Sequence, residues 1–171
     1  FFLVEVNPSH IEWIKEESLY FQEEKDYHSL FFQSHLFTSE KGGSIQAPSY
    51  LKKFPQLAAL SDLYMLQFIG PEKEEWINAL KAYGVEMLSP LYQNGWLCKI
   101  DPLIFSSVRS LRFIKACDQI PFSSKIHKAL FPLVNTDGKG DIYIQAMEDF
   151  DLPSFLNQKG IPQNQVSSYN R

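Results

Sequence analysis

The residues of this chain able to do acid–base or ligand chemistry are few and scattered. A serine hydrolase needs an Asp, a His and a Ser that meet in space, with the His as base and the Ser as nucleophile. The four histidines, His10, His28, His35 and His127, each stand beside Ser, Ile or Tyr and read as surface or capping residues. His28 and His35 are seven apart and can share a helix face, but two imidazoles without Cys or carboxylate support make a poor zinc site. Asn135-Thr136-Asp137-Gly138-Lys139-Gly140-Asp141 starts like a calcium loop, with oxygen donors at its first, third and seventh positions. Lys139 then occupies a ligand position with the wrong charge, and Ala146 stands where a bidentate Glu belongs, so a glycine-rich turn explains the run better. Glu72, Glu74 and Glu75 fall in the first turn of an expected helix, where negative charge suits the dipole, and the pattern leaves them exposed with no apolar pocket for acid–base work. The glycines form no phosphate-binding pattern. No catalytic residue, no metal ligand and no cofactor is expected.

The elements around these residues are better marked. Residues 63–117 read as one β-α-β-β-α-β unit. Leu63-Tyr64-Met65-Leu66-Gln67-Phe68-Ile69 is the first strand, ended by Gly70, and Pro71 opens a helix with its fixed φ. Trp76, Ile77 and Leu80 recur at helical spacing, and Gly84 stands where a left-handed cap belongs. A second strand over residues 85–92 leads into Gln93-Asn94-Gly95, where Asn-Gly is a strong hairpin signal. Residues 96–100 form the third strand. Asp101 caps a second helix opening at Pro102 and carrying Ile104, Val108 and Leu111, and residues 113–117 close the unit as a fourth strand.

Before this unit, Pro8-Ser9 precedes Ile11, Trp13, Ile14 and Leu19 mixed with Glu12, Lys15, Glu16 and Glu17, the pattern of an amphipathic helix. Leu30-Phe31-Phe32 and Leu36-Phe37 suggest apolar strand or packing segments, and Lys41-Gly42-Gly43-Ser44 a loop. Beyond the unit, Pro121-Phe122-Ser123-Ser124 reads as a linker. From Lys139 the opening of the unit recurs: a strand from Asp141 to Ala146, an Asp151 cap, a helix from Leu152-Pro153 with Phe155 and Leu156, and Gly160 in the part of Gly84. Gly95 stands eleven residues after Gly84, and Arg171 eleven after Gly160, so the register sets Arg171 at a hairpin tip and marks it as a candidate processing site. The alternative is a boundary without biological meaning, or a chance likeness between the two segments rather than a repeat.

The chain has 171 residues, enough for one ordinary domain or two small ones, and at 44% hydrophobic and 15% aromatic it is too apolar for disorder. A net charge of −4 without a basic stripe argues against a nucleic-acid partner. No run of about 18 apolar residues is present to span a membrane. Phe1-Phe2-Leu3-Val4 reads as a strand, or as the remnant of a removed signal segment.

Several of these small signals, in this order, resemble one family. Leu66-Gln67-Phe68-Ile69-Gly70-Pro71, Trp76, Gly84-Val85-Glu86, Gly95-Trp96-Leu97, Asp101-Pro102 and Leu111-Arg112-Phe113-Ile114 resemble the segment N-terminal to the catalytic domain of bacterial secreted subtilisin-like serine proteases. The resemblance covers roughly residues 46–130. It implies a ferredoxin-like unit over residues 61–120 of an α+β fold, which the residue pattern precedes with a helical N-terminal extension over residues 1–60 and follows with a linker and the first half of a second unit over residues 121–171. It also implies a secreted or cell-envelope location. The catalytic motifs of that family, a His followed by Gly-Thr and a Gly-Thr-Ser segment, are absent.

A ferredoxin-like sheet has the strand order 4-1-3-2. Cys98 on the third strand and Cys117 on the fourth then lie two strand spacings apart, roughly 9–10 Å, too far for a disulfide, which needs Cα atoms within about 7 Å. Both are expected as free, buried thiols. Tyr64, Leu66, Phe68, Trp96, Cys98 and Ile100 point to the helix-covered core. Leu63, Met65, Gln67, Leu97 and Lys99 then form the opposite face, more apolar than water should see and thus a candidate partner interface. Residues 1–60 are the alternative cover. By the resemblance, the partner is the subtilisin-like catalytic domain of the same precursor, as a separate chain. The chain is expected to be a non-catalytic prodomain that assists folding of that domain or inhibits it, through a strand from residues 118–124 or 166–171. The alternative is a persistent accessory or scaffold domain without inhibitory role.

Overall fold

The structure is a computed structural model that describes residues 27–40, 43–53, 60–133, 144 and 151–160. The chain divides into two units, Phe1–Asn135 and Thr136–Arg171. The expected helix at Pro8, the calcium-like run at residues 135–141, the strand from Asp141 and the chain end at Arg171 lie outside the described residues.

The first unit is mixed α+β and holds two antiparallel sheets. Strands β1 (Ser29–Phe32), β2 (His35–Ser39) and β3 (Ile45–Gln46) form the smaller sheet in that order. Strand β4 (Leu60–Phe68) opens the larger sheet. It is followed by helix α1 (Glu74–Ala82), strands β5 (Glu86–Leu91) and β6 (Gly95–Lys99), helix α2 (Phe105–Arg109) and strand β7 (Ile114–Pro121). The order across this sheet is β5-β6-β4-β7, with every pairing antiparallel. Cys98 on β6 and Cys117 on β7 therefore flank β4 and are free and buried, as the strand-order argument requires.

Two cores lie on the two faces of the larger sheet. Tyr64, Leu66, Phe68, Cys98, Ile100 and Cys117 pack with Leu80 of α1 and Val108 of α2, and half-buried Trp96 packs against them. Trp76 extends this core, stacking on Phe113 at 5.5 Å and 5° and lying 5.6 Å from Phe68. On the other face Leu63, Met65, Leu97 and Ile120 pack with Leu30 and Phe37 of the small sheet and with Leu51 of the 3-10 turn Ser49–Lys53. The edge of β7 is partly closed: Cys117 N–H donates to the Gly43 carbonyl at 3.1 Å, and Ile45 N–H to Asp118 Oδ2 at 2.7 Å.

Local chemistry differs from expectation at four joints. Helix α1 starts at Glu74, not Pro71, with Lys73 as extended cap residue and no side-chain cap. Glu72 is held by the Trp96 indole N–H at 2.5 Å, which ties residues before the helix to the sheet. The helix ends as expected: Gly84 at φ +89° donates to the Lys81 carbonyl and Val85 to the Leu80 carbonyl, satisfying the last orphan carbonyls. At the β5–β6 turn the left-handed residues are Gln93 (φ 62°) and Asn94 (φ 57°), while Gly95 already belongs to β6. Glycine is needed there for space, because a Cβ would stand 2.5 Å from Leu30 Cδ2. Asp101 caps a turn, its Oδ1 accepting from Leu103 N–H at 2.8 Å, and α2 proper begins later at Phe105. Residues 122–125 form a 3-10 turn with Ser123 and Ser124 buried, so this stretch is packed structure rather than a linker.

In the second unit, α3 (Leu152–Gln158) is capped by Asp151, whose carboxylate accepts from Ser154 N–H at 3.0 Å. Gly160, at φ +73°, ends it as Gly84 ends α1.

Candidate functional site

The residues expected to form an open partner surface are brought together by β4 and β6, but they are covered. Leu63, Met65, Gln67 and Leu97 are all buried. The cover is the small sheet: alternation along β1 and β2 turns Leu30 and Phe37 inward onto this face. This corrects the reading of an exposed interface in favour of its alternative, cover from the N-terminal region. Lys99 is half-buried and pairs with Glu86 of the neighbouring strand at 3.6 Å. Arg171, the candidate processing site, lies outside the described residues.

Gln67 is an anchor. Its Nε2 donates to the carbonyls of Tyr27 at 2.8 Å and Gln93 at 2.9 Å. The Tyr27 carbonyl also accepts from Lys115 Nζ at 2.7 Å, the same ammonium lies 3.3 Å from the Tyr27 ring centroid, and Tyr27 Oη donates to the Ile69 carbonyl at 2.7 Å. The entry to β1 is thereby tied to three parts of the large sheet. Gln67 Oε1 is buried without a hydrogen-bond partner among the described residues.

The histidines divide by position. His28 is exposed, and its Nδ1 lies 3.2 Å from the Ser39 carbonyl. His127 is exposed and caps the following 3-10 turn, accepting from Ala129 N–H at 3.3 Å. His35, expected at the surface, is fully buried. It opens β2 in phase with the inward-facing Phe37 and Ser39, and that alternation is the signal that marks it. Its ring nitrogens face the Tyr50 hydroxyl at 2.8 Å and the Ile126 carbonyl at 2.7 Å. Burial holds its pKa below the usual histidine value. His28 and His35 sit on the two arms of a hairpin rather than on one helix face.

The two thiols are chemically quiet. Burial pushes Cys98 up to about 12, and burial first, then Cys98 and Asp118, raise Cys117 well above the ordinary thiol value. The thiolate, which is the nucleophile, is thus suppressed at neutral pH.

One open pocket of about 430 Å³ lies beside α2, lined by Phe105, Ser106, Arg109, Ser110 and Lys115. Its cations are engaged: Arg109 Nη1 lies 3.4 Å from Asp118 Oδ1, and Lys115 holds Tyr27. Glu72, Glu74 and Glu75 are exposed near the start of α1. Among the described residues no cluster of three potential metal ligands is found, and no helix is long and apolar enough to cross a membrane.

No family model, curated protein or solved structure matches the chain.

Proposed function

We propose that the chain is a non-catalytic prodomain or accessory module of a secreted subtilisin-like serine protease, built on a ferredoxin-like unit. The observation that carries this reading is the strand order β5-β6-β4-β7, with α1 and α2 packed on one face. Numbered within the unit, that order is 2-3-1-4, the ferredoxin-like 4-1-3-2 read from the other edge. The same order occurs in proteins of many functions, so the protease partner rests on the resemblance of residues 66–71, 84–86, 95–97 and 111–114.

Within this reading, the covered second face favours the accessory role over inhibition through that face. An inhibitor that lays its sheet on the catalytic domain needs the face free, and here Met65 and Leu97 already contribute to an intrachain core. An accessory module acts by binding the native enzyme and stabilising it by mass action.

The test is an activity probe on material purified without denaturant from producing cells. A serine-reactive fluorophosphonate should label a polypeptide that co-elutes with the chain and separates only on denaturation. Adding the purified chain to that enzyme should leave its activity unchanged. Inhibition in trans would favour the inhibitory role instead. The absence of any co-eluting labelled species would overturn the protease reading.

A further inference from the structure

His35 joins segments that are far apart in the chain. Its ring is fully buried. The Ile126 carbonyl can only accept, so Nε2 carries the proton, and Nδ1 accepts from the Tyr50 hydroxyl. The ring stacks on Phe131 at 5.7 Å and 24°, and Phe131 meets the Tyr50 ring edge-on at 6.3 Å. One residue earlier, Ser34 Oγ accepts from Lys128 N–H at 2.7 Å. The tip of the β1–β2 hairpin is therefore fastened to the chain segment after β7 through a neutral imidazole.

We propose that this arrangement is an acid-sensitive latch: protonation of His35 releases the small sheet from the segment after β7 and from the sheet face beneath it. An imidazolium would carry a second N–H facing Tyr50, whose hydroxyl must then turn its own proton elsewhere in a buried site. Among the described residues, the groups around the ring offer the charge no counter-ion. Phe32 lies opposite on β1, Ser34 is in the turn, and Tyr50 faces the ring from the 49–53 turn. The segment after β7 presents Phe131 together with His127 and Lys128, both of which oppose a positive charge on His35. Desolvation is the largest effect on the ring, and the Ile126 carbonyl opposes it.

The sign follows from linkage. The closed form takes up the proton at lower pH than the open form, whose His35 titrates near the ordinary 6.5. Closure is therefore complete above that value and weakens as pH falls below it, by up to about tenfold in the opening constant per pH unit. Opening uncovers Leu63, Met65, Leu97 and Ile120, so acid converts an interior face into an apolar surface. This holds whether or not the partner is a protease.

Hydrogen exchange on the full chain between pH 5 and 8, corrected for intrinsic rates, tests the latch. The opening constant for the amides of β2 should rise by up to about fivefold from pH 6.5 to 5.5, while those of Leu66 and Cys98 stay flat. In His35→Gln, which cannot take up the proton, the β2 amides should lose this slope. A flat wild-type profile, or an equal slope in the variant, overturns the proposal. If the variant does not fold, imidazole nitrogen shifts of wild-type His35 decide: a neutral Nε2–H ring persisting at pH 6 supports the latch, and half-protonation at or above pH 6.5 refutes it.

Discussion

Replacing Met65 with Ala asks whether the second face of the large sheet is an interior or a surface. Met65 is 0% exposed and packs in the cluster with Leu30, Phe37, Leu51, Leu97 and Ile120. It stands at the centre of β4, opposite Leu97 on β6 and Asp118 on β7. The substitution removes Cγ, Sδ and Cε, and at about 0.8 kcal/mol per buried methylene-sized group the transfer loss is about 2.4 kcal/mol. The partly unrelaxed cavity brings the expected cost to about 3 kcal/mol, inside the range of roughly 2–5 for such truncations. For a unit of this size that lowers Tm by roughly 10 °C. The assay is equilibrium urea unfolding of the isolated chain, with Leu103→Ala as control. Leu103 is 90% exposed, so its loss should cost less than about 0.5 kcal/mol. A Met65→Ala cost below about 1 kcal/mol with an unchanged m-value would refute the packing argument, since truncating a partner surface lowers affinity and leaves the free chain's stability alone.

Gly95→Ala should destabilise the chain by about 1–3 kcal/mol through overpacking, because the new Cβ meets Leu30 Cδ2 at 2.5 Å and Leu91 Cβ at 3.2 Å. The cost should shrink in a Leu30→Ala background, and equal costs in both backgrounds would show that the clash is not the cause. Cys98 and Cys117 should resist alkylation at pH 8 in the native chain and react on unfolding, as their raised pKa values and burial require. Native modification at the rate of a free thiol would contradict this. Gln67→Leu leaves the Gln93 carbonyl without its Gln67 donor and should cost about 1–3 kcal/mol in urea unfolding. A neutral result would mean that water replaces the amide.

Signals carried by neighbouring residues were legible in the sequence. Gly84 and Gly160 both close helices at positive φ, because a cap needs only the last turn and a residue without Cβ. Asp151 caps its helix through a bond to Ser154, three residues on. Alternation along β4 correctly divided Tyr64, Leu66 and Phe68 from Leu63 and Met65. The candidate site was less legible, because the character of a surface depends on what lands on it. Nothing near Met65 announces Phe37, and nothing near Ser34 or His35 announces Lys128, Ile126 or Phe131.

The sequence alone determined the elements, their order and the two faces of the large sheet, since period-2 alternation, capping and turn chemistry act within a few residues. It also required two unbridged cysteines, because strand order separates them whatever covers the sheet. Only the tertiary structure decided that the second face is an interior, that Gly95 serves packing rather than a turn, and that His35 is a buried link. Each depends on contacts between residues distant in sequence, such as Leu30 with Gly95 and His35 with Ile126. Local propensity carries no information about such pairs, whose energies appear only once the two sheets have closed on each other.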